Sequence, residues 1–209
     1  MEPDHWHEKW QTNDLGFHEA AGNQLLQRQL DKLKLPANAR ILVPLCGKSE
    51  DLAWLASRGY VVIGVELSEI AARDFFAEHG IVPTVTRDGT LVRYSGSGVD
   101  ILVGDFFDVD RQTVAAVDGV YDRAALVALP PEMRTKYSTH LVDIAERAPQ
   151  LLITFEYEQD KMAGPPFSIP ESEVDRLYGH RYAVEKIEEQ QVVRGLKGVP
   201  AAEVAWLLH

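Results

Sequence analysis

A glycine and an acidic residue in this 209-residue chain, Gly47 and Glu66, have the spacing of a nucleotide-binding site. Gly47 follows the apolar run 40–45, and a glycine there permits a sharp turn and lets a ligand approach the backbone closely. Glu66 ends the next apolar run, about 20 residues past that turn, where an acidic side chain can accept hydrogen bonds from both ribose hydroxyls. The alternatives are a plain loop glycine and a solvated carboxylate at a strand end.

Two further apolar runs end in residues that suit a nucleoside and a charged acceptor. Asp105 and Phe106 follow the third run and offer a polar group for the amino edge of adenine and an apolar face for its ring. The alternative is that Phe106 and Phe107 belong to the core. Arg123 follows the fourth run, and a guanidinium between apolar elements needs a partner. Arg123 therefore either contacts a ligand or forms a structural ion pair with Asp122 or another acidic residue.

Aromatic residues are dense near the N-terminus, where Trp6, Trp10 and Phe17 precede the first clear element. They could form a lid over a ligand, or a helix packed against the sheet. The turn at Gly47 lacks the G-x-G-x-x-G pattern of dinucleotide-binding oxidoreductases, which disfavours NAD as the ligand.

Metal and disulfide chemistry are disfavoured by residue type and spacing. His5, His7 and His18 lack the spacing of a known metal motif. Cys46 is the one cysteine, so it cannot form an intrachain disulfide, and it suits a reducing compartment such as the cytoplasm. We interpret it as a small buried side chain rather than a nucleophile.

Charge and hydropathy narrow the classes of partner. The formal net charge is −11, without a dense stripe of Lys and Arg, which argues against nucleic acid. No uninterrupted apolar stretch approaches the roughly 18 residues that a membrane span needs. No exposed apolar stripe stands out, so we expect a monomer with a small-molecule partner.

Strand and helix patterns alternate along the chain, which predicts an α/β fold with a doubly wound, mostly parallel sheet in a single domain over residues 1–209. The seven predicted strands cover residues 40–45, 60–66, 99–103, 119–122, 150–157, 182–193 and 203–208. The predicted helices cover residues 23–35, 49–58, 68–79, 130–147 and 171–178. The last two strands have no helix between them and should pair as an antiparallel hairpin, and residues 89–98 should form a hairpin-like insertion. Ser49 and Ser68 should cap the helices that follow them.

Several motifs together resemble the bacterial thiopurine S-methyltransferase family. The resemblance spans nearly the whole chain, in order, and is less distinct after about residue 182. Its motifs are WHEKW, GFHE, VPLCGKSEDLAWLASRGYVVIGVELSE, GDFFDVD, VYDRAALVALP, PQLLITFEY and GPPFSIP.

This resemblance implies a Rossmann-like class I methyltransferase that uses S-adenosylmethionine as its methyl donor. It assigns the cofactor to positions that here are Trp10, Leu45, Glu66 and Arg123, with Asp105 and Phe106 as adenine contacts. Residues 1–22 would be a mobile cover segment, with Trp6 and Phe17 beside the acceptor.

The resemblance also places Arg123 near a thiopurine or similar small aromatic thiol, where it would have the catalytic role. A second family arginine lies near the C-terminal end, and Arg194 is the nearest candidate, although the local pattern does not assign it. The alternatives are methylation of inorganic selenium or tellurium species or of another small thiol, or a non-catalytic protein that binds S-adenosylmethionine.

Overall fold

The computed structural model describes Trp10 and residues 21–209, except for the side chain of Asp88. The chain divides into two compact units, Met1–Asn23 with Leu35–Asp118, and Gln24–Lys34 with Gly119–His209. Compact units of this kind also occur within single domains, so the single domain over residues 1–209 stays a prediction.

The elements of the described residues follow one another in an alternating order. The strands are β1 (Arg40–Val43), β2 (Val61–Glu66), β3 (Thr84–Asp88), β4 (Leu91–Gly96), β5 (Val99–Val103), β6 (Gly119–Arg123), β7 (Gln150–Glu156), β8 (Val184–Gln191) and β9 (Ala202–Leu208). The α-helices are α1 (Gln24–Gln29), α2 (Glu50–Ser57), α3 (Glu69–Glu78), α4 (Arg111–Val114), α5 (Pro131–Ile144) and α6 (Glu171–Tyr178). Short 3-10 helices cover Leu30–Leu33, Phe106–Asp108, Leu126–Ala128 and Gln159–Lys161.

The first unit contains five strands in the order β3-β4-β5-β2-β1. Strand β2 pairs in parallel with β1 and with β5, whereas β4 is antiparallel to both β3 and β5. Glu66 lies opposite Val103 in the register of β2 and β5. The carboxyl ends of these parallel strands therefore meet at one edge, where ligands bind in α/β sheets.

Helices α2 and α3 both pack against β2 and β5. Ser49 begins α2, and its side chain accepts a hydrogen bond from the backbone N–H of Asp51 at 3.2 Å, as the sequence predicts. Ser68 precedes α3 without a side-chain cap hydrogen bond in the described chain, so the predicted cap is wrong in detail. The backbone N–H of Ser68 instead donates a hydrogen bond to Glu66 Oε1.

The second unit contains four strands in the order β6-β7-β9-β8. Strands β6 and β7 are parallel, and β9 pairs antiparallel with both β7 and β8. The C-terminal antiparallel hairpin is therefore confirmed. Helix α5 contacts α6, and α1 contacts β7. Trp206 is fully buried, and its Nε1–H donates to Thr154 Oγ1 at 2.9 Å.

All seven strands that the sequence predicts are present, with ends that differ by at most two residues. The hairpin-like insertion predicted over residues 89–98 begins earlier than expected, at Thr84. Strand β3 pairs with β4, and β4 extends the sheet beside β5, so the hairpin adds two strands, of which only β4 lies within the predicted bounds. Among the described residues, no helix is both long and apolar enough to cross a membrane.

Candidate active site

The turn between β1 and α2 has a backbone conformation that only a few residue types adopt readily. Leu45 has φ of +45° and Gly47 has φ of +55°, both in the left-handed region. This conformation costs a non-glycine residue roughly 1–2 kcal/mol. Cys46 between them donates its N–H to the carbonyl of Val65 at 3.0 Å, which ties the turn to β2. Strained backbone of this kind clusters at ligand sites, which makes the turn a candidate for binding.

Glu66 is the side chain that joins this turn to the end of β2. Its Oε2 accepts the backbone N–H of Gly47 at 2.8 Å, and its Oε1 accepts the N–H of Ser68 at 2.8 Å. The side chain is held in one orientation with only 6% of the residue exposed. A carboxylate oxygen has two lone pairs, so each Glu66 oxygen retains capacity for a hydroxyl donor.

The protonation of Glu66 reflects two opposing effects. Burial raises the pKa of the carboxyl above its ordinary value, because desolvation disfavours the charged form. Hydrogen bonds from the backbone N–H groups of Ser68, Gly47 and Leu67 stabilise the carboxylate and oppose that rise.

Cys46 lies against β2 beside Glu66. A Cβ atom at Gly64 would lie only 2.6 Å from Cys46 Sγ, so the absence of a side chain at residue 64 makes room for the thiol. Burial raises the pKa of the Cys46 thiol well above its ordinary value, and the charge of Glu66 raises it further. A nucleophilic cysteine needs the opposite shift. Cys46 therefore packs as a neutral side chain.

Trp10 is the described residue of the N-terminal segment, and its indole ring lies against the turn. A Cβ atom built at Gly47 would lie 3.4 Å from Cζ2 of Trp10 and 3.7 Å from its Cη2. These are ordinary van der Waals distances, so the ring lies directly beside the backbone of the turn. Trp10 is half-buried, and its role as a cofactor contact stays a prediction. Trp6 and Phe17, and the rest of the predicted cover over residues 1–22 up to residue 20, lie outside the described residues.

The segment after β5 reaches the same strand end. Gly104 donates its N–H to the backbone carbonyl of Glu66 at 2.9 Å. Asp105 is exposed, and its Oδ1 accepts the N–H of Phe107 at 2.9 Å, which caps the 3-10 helix. Phe106 is only 5% exposed and packs edge-to-face with Phe107. At least Phe106 is therefore core, and its contact with adenine stays a prediction.

Arg123 lies in the second unit as the last residue of β6 and is 9% exposed. Asp122 precedes it on the strand, and successive side chains of a strand point to opposite faces. The two oxygens of Asp122 accept hydrogen bonds from Tyr137 Oη at 2.8 Å and from the Leu126 N–H at 3.2 Å. Burial raises the pKa of Asp122 to about 6, which is the reverse of what an adjacent cation would do. The ion pair with Asp122 is thus disfavoured as the role of Arg123.

Arg194 lies in the exposed turn between β8 and β9, with φ of +69°. The Gly195 N–H donates to the carbonyl of Val192 at 2.8 Å, which shapes this turn. Its assignment as a second acceptor-site arginine stays a prediction.

The structure adds three participants that sequence reasoning missed: the N–H groups of Gly47 and Ser68 on Glu66, and Tyr137 on Asp122. Gly47 and Glu66 were both recognisable as strand-end residues, but their mutual bond depends on sheet register. Nothing in the sequence near Asp122 points to Tyr137, which is 15 residues away.

Proteins with an assigned name match the chain over nearly its full length. The chain is 50% identical over 211 residues to thiopurine S-methyltransferase of Xanthobacter autotrophicus, covering 100% of this chain and 99% of the relative. It is 48% identical to the Pseudomonas fluorescens protein of the same name, covering 92% and 89% of the two chains.

Solved structures share the fold at lower identity. The Burkholderia thailandensis 1,6-didemethyltoxoflavin-N1-methyltransferase, solved with S-adenosylhomocysteine bound, superimposes with a TM-score of 0.67 at 17% identity and covers 99% of this chain and 86% of its own. A methyltransferase dependent on S-adenosylmethionine, from Anabaena variabilis, gives a TM-score of 0.67 at 13% identity, covering 99% and 94%. The mixed α/β sheet with a parallel core and C-terminal antiparallel strands is therefore that of the class I methyltransferases. The family profile described as thiopurine S-methyltransferase matches residues 1–208, so the chain belongs to the thiopurine S-methyltransferase family.

Proposed function

We propose that this chain transfers the methyl group of S-adenosylmethionine to the sulfur of a thiopurine or similar small aromatic thiol. The support for the acceptor class is the name of relatives that are 44–50% identical over nearly their full length. The structural observation that supports S-adenosylmethionine as the cofactor is the position of Glu66. It is a buried carboxylate that two backbone N–H groups hold at the end of β2.

The residues of the first unit fit S-adenosylmethionine. Glu66 has lone pairs left for the two ribose hydroxyls, and a ribose diol is the group that a strand-end carboxylate binds in this type of sheet. The left-handed turn at Leu45 and Gly47 exposes backbone to a ligand, with Trp10 against it. The exposed carboxylate of Asp105 is available to the amino edge of adenine.

S-adenosylmethionine supplies an electrophilic methyl group on a sulfonium, and its loss leaves a neutral thioether that needs no acid. The work of the protein is therefore alignment and the exclusion of water. Glu66 and the turn hold the donor, and Trp10 shields the turn. Arg123 stabilises the anionic sulfur of the acceptor electrostatically, so that no strong general base is required.

We further propose that the chain acts as a cytoplasmic monomer of one domain, with a small thiol rather than nucleic acid as its partner. The net charge of −11 supports a partner other than nucleic acid, because a polyanion would be repelled. Cys46 as the one cysteine suits a reducing compartment.

A methyl-transfer assay over a panel of acceptors tests the proposal. The purified chain is incubated with S-adenosylmethionine and 6-mercaptopurine, thiophenol, selenite, tellurite or a catechol, and methylated products are quantified. We expect the two aromatic thiols to give the highest kcat/KM. Higher kcat/KM with selenite or tellurite would overturn the acceptor class.

Thermal stability with ligands tests the cofactor separately. S-adenosylhomocysteine should raise the Tm and NAD should leave it unchanged, since only a ligand of the native state stabilises by mass action. Stabilisation by S-adenosylhomocysteine without turnover of any acceptor would indicate a non-catalytic binding protein instead.

A further inference from the structure

The turn that follows β6 carries Arg123 and is closed by one carboxylate. Asp122 Oδ1 accepts the N–H of Leu126 at 3.2 Å, a bond that spans Arg123, Ala124 and Ala125. Ala124 has φ of +65°, a left-handed conformation that costs an alanine roughly 1–2 kcal/mol. The bond from Leu126 thus closes a turn that contains strained backbone immediately after the arginine.

The same carboxylate attaches the turn to helix α5. Asp122 Oδ2 accepts a hydrogen bond from Tyr137 Oη at 2.8 Å, and both residues are fully buried. Because none of its surface reaches solvent, Asp122 cannot contact a dissolved acceptor. Any effect on the reaction must therefore pass through the residues that it holds.

Among the described residues, the groups that shift the pKa of Asp122 besides burial are the Tyr137 hydroxyl and the Leu126 N–H, and neither is a cation. Helix α5 presents Tyr137 and helix α6 presents Tyr178, and burial raises the pKa of both phenols well above the ordinary value. On β7 the residue in register is the apolar Leu152. Burial disfavours the charged form of the Asp122 carboxyl, a cost that an apolar side chain of similar size would avoid. Stability alone is therefore a poor explanation for a carboxylate at this position.

We propose that Asp122 is a positioning residue, which sets the direction of the Arg123 side chain by bonding across its turn to Leu126 and sideways to Tyr137. This inference rests on the proposed role of Arg123 at the acceptor. In this proposal, the Asp122 carboxylate on β6 aligns the Arg123 guanidinium, and the Tyr137 hydroxyl on helix α5 holds that carboxylate in place.

A pair of tyrosine variants separates positioning from stability. Tyr137→Phe removes the hydroxyl that contacts Asp122. Tyr182→Phe is the matched control, because the Tyr182 hydroxyl is also buried and accepts from Gln150 Nε2 at 3.0 Å and donates to the Ala148 carbonyl at 3.1 Å. Each variant loses one buried hydroxyl group and keeps its aromatic ring, so both should lower the Tm by a similar amount.

The kinetics of the two variants should differ. Tyr137→Phe should lower kcat/KM for 6-mercaptopurine about tenfold, a size reasonable for misplacement of a catalytic group by well under 1 Å. Its affinity for S-adenosylhomocysteine should stay within about twofold of the wild type, and Tyr182→Phe should leave both quantities within about twofold, since alignment is unchanged there. The loss in Tyr137→Phe should shrink as pH rises through the thiol pKa, because a thiolate formed in solution needs the cation less.

Two variants of Asp122 test whether a side chain of the same shape can replace the carboxylate. In Asp122→Asn the amide oxygen can accept from Leu126 and the amide N–H can donate to Tyr137 Oη, so kcat/KM should stay within about threefold of the wild type. Asp122→Ala removes both bonds and should lose about tenfold or more. If Tyr137→Phe does not fold, the contrast between Asp122→Asn and Asp122→Ala decides the question.

The outcomes distinguish this inference from the function on which it rests. If Arg123→Ala is impaired toward 6-mercaptopurine while Tyr137→Phe and Tyr182→Phe lose equal kcat/KM, Asp122 is not a positioning residue. An equal loss in Asp122→Asn and Asp122→Ala would have the same meaning. If Arg123→Ala itself has normal kcat/KM, the proposed role of Arg123 fails first, and the inference fails with it.

Discussion

Glu66 in the first unit and Asp122 in the second are both buried carboxylates near the carboxyl end of a parallel strand, and each accepts two hydrogen bonds. Their partners differ. Glu66 is bonded by the backbone N–H groups of Gly47 and Ser68, whereas Asp122 is bonded by the backbone of Leu126 and the side chain of Tyr137. Glu66 is 6% exposed, whereas Asp122 is fully enclosed.

This difference separates a carboxylate that can meet a ligand from one that can only act through its neighbours. Glu66 retains an accessible edge at a backbone turn, which suits direct contact with cofactor hydroxyls. Asp122 has no such edge, and burial raises its pKa to about 6. Similar positions on similar strands therefore have different surroundings, and the variants below test whether their roles differ as well.

The largest effect is expected from Glu66→Ala. Loss of two charge-assisted hydrogen bonds to the ribose, at roughly 1.5–3 kcal/mol each, should weaken S-adenosylhomocysteine binding about 100-fold or more. Calorimetric titration measures this affinity. Asp110→Ala is the control, because Asp110 also accepts two hydrogen bonds, from the N–H and hydroxyl of Thr113, but is the exposed cap of helix α4 rather than the last residue of a parallel strand. An affinity of Glu66→Ala within about twofold of the wild type would make Glu66 a bystander.

Arg123→Ala should come next, with kcat/KM for 6-mercaptopurine lowered about 100-fold, as for loss of one preorganised electrostatic group. Activity should recover partly as pH rises, because the thiolate of the acceptor then forms without the cation. Steady-state kinetics between about pH 6 and 9 would show this around a thiol pKa near 8.

Arg123→Lys is the matched control, since a point charge without the planar fork should retain part of the activity. A normal kcat/KM in Arg123→Ala at every pH would remove Arg123 from the acceptor side. Unfolding of that variant would indicate a structural role instead.

Asp122→Asn should change the pH dependence of stability. The folded-state pKa of about 6 lies above the ordinary value of 3.8, so the folded protein gains stability when Asp122 is protonated and loses it as pH rises through about 6. The asparagine cannot ionise. Relative to the wild type, the variant should therefore become more stable by about 1.4 kcal/mol between pH 5 and pH 8, because pH 5 lies about one unit below the folded-state pKa.

Urea unfolding of both proteins at pH 5 and pH 8 measures this difference. Asp110→Asn is the control, because the pKa of the exposed Asp110 is lowered by its hydrogen bonds to Thr113. Both the folded and unfolded pKa of Asp110 then lie below this range, and its variant should differ from the wild type by the same amount at both pH values. A pH-independent difference for Asp122→Asn would show that Asp122 is not ionised on unfolding in the expected range.

The smallest effect is expected from Gly47→Ala, which compares backbone strain inside and outside the candidate site. Gly47 and Gly80 both have positive φ, of +55° and +66°, so alanine should cost each roughly 1–2 kcal/mol of stability. The turn at Gly47 donates its N–H to Glu66, whereas nothing lies within 4 Å of a Cβ atom at Gly80. Strain at Gly47 should therefore disturb Glu66 and lower cofactor affinity about fivefold to tenfold, as expected for about 1 kcal/mol, and affinity should stay unchanged in Gly80→Ala. Equal affinities in the two variants would show that the turn is not part of the binding site.

The fold was predictable where the sequence pattern is local and continuous. The β-branched run before Glu66 and the apolar runs at β1, β5 and β7 identify buried strands, and Ser49 marks the start of α2 through its own hydrogen bond. Helix α4 was missed because four residues carry too little periodicity. The β3–β4 hairpin was predicted only as a hairpin-like insertion over residues 89–98. Strand β3 and the pairing of β4 with β5 were missed, because strand partners are chosen at a distance.

For the site, the residue types at the strand ends could be identified from the chain pattern, namely Gly47, Glu66, Asp105 and Arg123. Their contacts could not, because these follow from how strands and helices pack. The bond from Gly47 to Glu66 joins residues 19 apart, and the bond from Tyr137 to Asp122 joins residues 15 apart on a helix and a strand. Periodicity and propensity report on neighbours within a few residues, whereas these bonds depend on sheet register and on how a helix packs against a strand.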